Sequence, residues 1–328
     1  MIKWFWFCLK VLLSFALIFF FIQKVDYHSV KNIIMTWDGI QALTFGVCVI
    51  LLQNSIGGAR LPYILRLSGY NVSIIYGIKT WLVGSFFTQT MISFVGGDAM
   101  RILYLRRASI PTKVAANAIL FDRVIGFFAL ILLFLIFLPF SLEIIKSPMM
   151  RYGIYLLALS SVAGIIVFLL LGMVRFPQQK NKWIGLFIEL SSNSRYLFIS
   201  KKITLITFML SLGVQLINIV AIYGIFQIYG QDISFFWCLA LAIPAMLISM
   251  LPISVAGWGV RETAMIIGFS LLGLSTDVIL AVSVTFGIAV CLAGLPGIWI
   301  FLWEQKRPMA PHLDPIKTTE DLALQSKS

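Results

Sequence analysis

Long apolar runs separated by short charged stretches set the pattern of this chain. Runs over about 4–23, 39–59, 117–140, 152–174, 203–229 and 278–303 each approach the length a helix needs to cross about 30 Å of hydrocarbon. Two further apolar regions, about 75–95 and 234–251, end in glycine-rich charged breaks. Each is followed by another helical stretch, about 97–110 and 257–273. Short segments of alternating hydrophobicity, the mark of a membrane β-barrel, do not occur. The pattern predicts an all-α polytopic membrane protein.

Charge fixes the expected orientation. Arg60 and Arg66 follow the second span, and Arg101, Arg106, Arg107 and Lys113 cluster before the third. The loop near 175–202 carries Arg175, Lys180, Lys182, Arg195, Lys201 and Lys202, and Lys306 and Arg307 follow the last span. The opposite loops hold only Lys24, Lys31, Lys146 and Arg151. The positive-inside rule places the clusters and both termini in the cytoplasm. Residues 75–110 then have to enter from the cytoplasm and return to it, and 234–273 have to enter and return from the outside. The expected fold is therefore about six full spans plus two re-entrant broken-helix hairpins of opposite approach, as an inverted repeat would give. Eight full spans are the alternative. A transmembrane domain over 1–303 is expected, with a disordered, proline-containing cytoplasmic tail over 304–328.

Composition narrows the class. Of 328 residues, 60% are hydrophobic and 12% charged, about half the charge of a soluble domain. The formal net charge of +12 suits topology and anionic headgroups better than nucleic acid. Cys8, Cys48, Cys238 and Cys291 are scattered through apolar sequence and have no metal-type or disulfide spacing. The first apolar run lacks a small-residue cleavage site and reads as a retained span.

The two breaks carry the candidate chemistry. One reads Ser93-Phe-Val-Gly-Gly97-Asp98-Ala-Met-Arg101, the other Ser254-Val-Ala-Gly257-Trp-Gly-Val-Arg261-Glu262. A guanidinium pairs bidentately with phosphate and costs at least about 2.5–3.5 kcal/mol at the bilayer centre. Arg101 and Arg261 are thus either lipid-headgroup ligands or arginines snorkelling to a boundary. Gly96, Gly97, Gly257 and Gly259 either start half-helices that aim N–H groups at an anion or serve close helix packing. Pro244 and Pro252 bracket the second hairpin's first helix and fit a break there. Asp98 caps the helix after the first break, or balances charge or carries a proton. Asp122-Arg123 begins a long span. Adjacent helical residues do not face each other, so each needs a partner on another helix, and the same logic applies to Glu262 beside Arg261. Gln89, Asn117, Gln215 and Asn218 read as interhelical hydrogen bonding, and Arg60-Leu-Pro62 with Arg66 as a cytoplasmic helix end.

Catalytic and cofactor motifs are missing. There is no phosphate-binding Gly-x4-Gly-Lys-Ser/Thr loop and no Gly-x-Ser-x-Gly elbow, and the two histidines, His28 and His312, have no metal-ligand company. No catalytic residue, metal or cofactor is expected.

Three segments in order resemble one family: Gly-Gly-Asp-Ala-Met-Arg101 with Tyr-Leu-Arg-Arg, Phe-Asp122-Arg123-Val-Ile-Gly126, and Leu-Pro-Ile-Ser254-Val-Ala-Gly-Trp-Gly259-Val-Arg261-Glu262. They resemble the lysylphosphatidylglycerol synthase transmembrane-region family, whose members are also called flippase-like proteins. The resemblance runs to about residue 303. It implies a multi-pass protein of the bacterial inner membrane that translocates a polar or anionic lipid of aminoacyl-phospholipid, polyprenyl or hopanoid type. The bifunctional members carry a cytosolic synthase half that this chain lacks, so lysyltransferase activity is not expected. On this reading Arg101, Arg261 and the four glycines hold a lipid phosphate, while Asp98, Asp122, Arg123 and Glu262 balance charge or carry protons. Two rivals stand: a membrane transferase acting on lipid-linked substrate, with Asp98 or Glu262 as base, and an accessory subunit of a separate lipid-modifying enzyme.

Overall fold

A computed structural model describes residues 32–90, 94–173, 201–250 and 258–304. The expected first span, the loop near 175–202, Gly257, Pro252 and the tail beyond Glu304 lie outside these described residues.

Among the described residues the chain forms α1 (Trp37–Arg66), α2 (Ile74–Thr90), α3 (Phe94–Arg107), α4 (Thr112–Ile144), α5 (Pro148–Met173), α6 (Lys201–Ile228), α7 (Phe235–Ser249), α8 (Val260–Phe269) and α9 (Thr276–Glu304). A 3-10 turn, Ser270–Leu272, joins α8 to α9. Helices α1, α4, α5, α6 and α9 are long and apolar enough to cross a membrane. With 17, 14, 15 and 10 residues, α2, α3, α7 and α8 are only about 26, 21, 23 and 15 Å long at about 1.5 Å per residue. Of these, α3, α7 and α8 fall short of the roughly 17 residues a span needs and α2 only reaches it, which favours hairpins over eight full spans.

The short helices pair antiparallel. Tyr76 Oη donates to the Tyr104 carbonyl at 2.8 Å, and Gly84 lies against the Arg101 side chain, so α3 returns along α2. Gly268 of α8 faces Leu241 of α7 in the same way. The two hairpins approach from opposite ends of the bundle. The base of α2–α3 sits at the C-terminal end of α9, where Lys79 Nζ meets Glu304 Oε1 at 2.6 Å and Arg107 stacks on Phe301. The base of α7–α8 sits at the C-terminal ends of α4 and α6, through Phe236 on Phe140 and Phe235 on Tyr223.

Helix α9 measures how far each hairpin reaches. From one side, α2 lies along Gly297 and Gly294 and ends with Gln89 near Cys291. From the other, Trp258 and Arg261 lie against Gly287. Gly287 and Cys291 are one turn apart, half-way along α9, so the hairpins meet at mid-bundle.

Small residues allow this fit. A Cβ on Gly58 would meet the backbone of α2, 2.8 Å from Ile78 N and 2.9 Å from the Gly77 carbonyl. In lipid, helices associate through such close packing. Gly58→Ala is expected to destabilise by about 1–3 kcal/mol, because backbone has to move. Gly213→Ala, where a Cβ meets open space, is expected to be neutral or to stabilise by up to about 1 kcal/mol. Thermal unfolding in detergent separates the two.

Three local expectations change. Helix α1 runs through Arg60 and Pro62 to Arg66, so Arg60 is no helix end; only Arg66 is, stacked on Tyr63 and bonded to Asn71. Helix α7 continues through Pro244 to Ser249, and the interruption comes after it. Helix α3 starts at Phe94, which puts Gly96 and Gly97 inside it rather than at its first residue.

Candidate functional site

A cavity of about 350 Å³ lies where the hairpins meet. It is bounded by α1, α2, α3, α4, α6, α7, α8 and α9, and Arg60, Arg101, Asp122, Arg123 and Arg261 line it.

Helix α4 supplies the central carboxylate. Asp122 is 2% exposed and lies between two buried arginines, Arg60 of α1 and Arg101 of α3. Arg101 Nη2 donates to Asp122 Oδ2 at 3.0 Å. Arg60 Nη2 stands 3.1 Å from Asp122 Oδ1, a charge contact without hydrogen-bond alignment. Arg60 also donates to Ser211 Oγ at 2.6 Å and to the Gly57 carbonyl at 3.3 Å. Both guanidinium groups lie over the Trp81 ring, 4.9 and 4.8 Å from its centre. Trp81 is itself anchored, its Nε1 donating to Asn54 Oδ1 at 3.0 Å. The quadrupole of the ring favours cations on its face, so Trp81 shares the cost of burying them with Asp122.

Asp98 extends the chain of charge. It pairs with Arg123 of α4 and lies 3.8 Å from Arg101 Nη1 one turn away on α3. Asp98 sits in the second turn of α3 and is an ion-pair partner there, not the residue that begins the helix. Asp122 and Arg123, neighbours in sequence, thus reach partners on different helices. Gly97 lets the hairpin close, since a Cβ there would collide with Thr88 and the Gly84 carbonyl. Gly96 is half-buried in the same helix.

The second hairpin adds a separate pair. Gly259 takes φ +84°, a conformation that favours glycine, and caps α8. Glu262 reaches back to the Gly259 N–H at 2.6 Å, the carboxylate half of a capping box. Its other oxygen accepts from Arg261 Nη2 at 2.6 Å and from Ser283 Oγ at 3.2 Å. Arg261 and Glu262 therefore pair with each other, against the expectation of separate partners, because the capping bend turns Glu262 back past the helix start. Arg261 also donates to the Ser283 carbonyl at 3.1 Å and lies between the rings of Trp258 and Phe286.

Among the described residues four guanidinium groups face three carboxylates in this assembly, leaving one net positive charge. Arg101 Nε is buried and makes no hydrogen bond. Gln215 Nε2 donates to the Gly126 carbonyl at 3.3 Å, tying α6 to α4, while Gln89 and Asn218 line the cavity. Among the described residues no group of three metal-ligating side chains forms, and Cys48, Cys238 and Cys291 are free thiols.

Arg60, Trp81, Asn54 and Ser211 belong to the site; Arg60 had been read as a helix end, and the other three had not been singled out. The signal for Arg60 was its place seven residues after Gln53, two helical turns along the same face of α1.

Fold and site together define an all-α polytopic membrane protein with a charged cavity where two opposed broken helices meet. A family model described as Lysylphosphatidylglycerol synthase TM region matches residues 7–297, and the chain belongs to that family. No curated protein and no solved structure matched the chain.

Proposed function

We propose that this protein translocates a polar or anionic lipid of aminoacyl-phospholipid, polyprenyl or hopanoid type across the bacterial inner membrane, its headgroup passing through the cavity between the hairpins. The observation that carries the reading is the excess positive charge of the cavity together with the buried, unbonded Arg101 Nε. A guanidinium held in low dielectric favours an anionic partner, and a lipid phosphate supplies one. Discontinuous helices meeting at mid-depth are the arrangement transporters use to expose polar backbone to a substrate. The excess of Lys and Arg in alternate loops supports cytoplasmic termini. Every carboxylate of the cavity is engaged by arginine, which supports charge balance over a catalytic base.

Reconstitution in vesicles tests this. Fluorescent-headgroup lipids of each class are followed by their accessibility to a membrane-impermeant reductant. The expected result is protein-dependent translocation of an anionic lipid that Arg261→Gln lowers by roughly tenfold to a hundredfold, the worth of a hydrogen bond to a charged group. Arg261→Lys, which keeps the charge, should retain more. An Arg261→Gln variant that folds and transports like the parent, or intact protein that moves no lipid, defeats the proposal.

A further inference from the structure

A second cavity, larger than the charged one, lies on the other side of the α7–α8 hairpin. It encloses about 550 Å³ between that hairpin and α4 and α5, within the usual range of about 300–1,000 Å³ for ligand pockets. Ile154, Leu157, Leu241, Ala245, Ala264 and Ile267 form much of its wall, and among the described residues no charged one lines it. Its hydroxyl groups are already satisfied. Ser141 Oγ donates to the Ala240 carbonyl at 2.7 Å, Ser160 Oγ to Leu157, and Thr263 Oγ1 to Gly259. The described residues of the groove therefore offer a ligand apolar contact and no free side-chain hydrogen-bond donor.

The hairpin forms the partition between the two cavities. Along α7, Met246 and Ser249, with Met250 just past its end, face the charged cavity, while Ala245 and Ile248 face the groove. At the start of α8 the division falls between consecutive residues: Val260 lines the groove and Arg261 the charged cavity. The outer wall, α5, is the least buried of the five long helices described. Only 11% of its apolar stretch is buried, against 39–56% for the other four long helices. Gly153, which lines the groove, would place a Cβ in open space.

We infer that this groove binds one hydrocarbon chain of the lipid whose headgroup occupies the charged cavity, so that the α7–α8 hairpin separates headgroup from chain. The inference rests on the transport reading for its headgroup half. The groove is apolar, is walled by α5, the least buried of the five long helices described, and is divided from the charged cavity at the start of α8 between Val260 and Arg261.

The full chain in phosphatidylglycerol–phosphatidylethanolamine vesicles provides the test, with a tracer phosphatidylglycerol carrying a diazirine midway along one acyl chain. After photolysis, peptide mass spectrometry should find adducts concentrated on the groove residues of α5, α7 and α8. Gly153→Leu should lower their yield roughly tenfold, since the new side chain displaces about two methylene groups of the ligand. Gly164→Leu is the control: it lies on the same helix, its Cβ also meets open space, and it does not line the groove. Adducts spread over outward residues such as Tyr152 and Leu159, or a yield unchanged by Gly153→Leu, overturn the inference. So does a Gly153→Cys probe that cross-links to residues 1–31 or to a second copy, because protein then fills the groove. Translocation measured in the same vesicles keeps the two readings apart. Groove adducts without transport sink the transport reading and leave a chain-binding groove; transport without groove adducts does the reverse.

Discussion

Asp122→Asn is expected to destabilise the protein by about 3–5 kcal/mol, the cost of leaving buried charge unpaired. Asparagine keeps the size of the side chain and an oxygen that accepts a hydrogen bond, so packing changes little. What disappears is the one negative charge shared by Arg60 and Arg101, which are 3% and 5% exposed. Arg101 retains Asp98 at 3.8 Å, but Arg60 is left with only a hydroxyl, a carbonyl and the Trp81 ring. Arg123→Gln removes a charge from the same cluster and is expected to cost no more than about 1 kcal/mol, because that side chain is 38% exposed. Unfolding in detergent, followed by temperature-ramped size exclusion, gives both values. The double variant Arg60→Met with Asp122→Asn should recover part of the loss, since it removes a cation along with its counter-charge. Asp122→Asn unfolding within about 1 kcal/mol of the parent would show that the cluster does not hold the helices together.

The spans and hairpins were legible because hydrocarbon imposes them. A run of about 20 apolar residues has few fates other than a membrane helix, and positive loops limit how the runs connect. The matched apolar runs 117–140, 152–174, 203–229 and 278–303 fall within a few residues of α4, α5, α6 and α9. The breaks were visible as charge and glycine where neither is cheap, which brought Asp98, Arg101 and Arg261 into view before their positions were known. Arg60 was misread for a physical reason. Arg-Leu-Pro after an apolar run usually ends a helix, since proline removes an N–H and crowds the preceding turn. Here Gly77 of α2 packs against both Pro62 and the Gly58 carbonyl that proline leaves unbonded, and the helix continues. Nothing local to Arg60 announces that neighbour, or Asp122 62 positions later. Trp81 was hidden in the same way: an apolar helix tolerates tryptophan anywhere, and its cation-binding role appears only once α1 and α3 lie on either side of it. Of the two readings of Gly97, close helix packing is the one that holds, since its use is the absence of a side chain against Thr88.

The second large effect is expected at Glu262. Glu262→Ala should cost about 3–5 kcal/mol, because three interactions depend on one carboxylate. It accepts the Gly259 N–H that begins α8, a cap worth about 0.5–2 kcal/mol on its own. It neutralises Arg261, and it accepts from Ser283 of α9. A ten-residue helix is too short to persist without its cap and its packing, so the loss should spread from the cap to the whole of α8. Glu262→Gln distinguishes the contributions. Its amide oxygen can still accept from Gly259, while the charge facing Arg261 is gone, and its stability should fall between the alanine variant and the parent. Hydrogen exchange over 260–269 locates the effect: fast exchange confined to this segment in Glu262→Ala is the expected pattern. Glu262→Gln as unstable as Glu262→Ala would mean that the charge, not the cap, dominates. Glu262→Ala with parental exchange would refute the dependence of α8 on this residue. The outcome bears on transport as well, since α8 carries Arg261 into the charged cavity and Val260 into the apolar groove: a hairpin that loses its cap loses the partition between them.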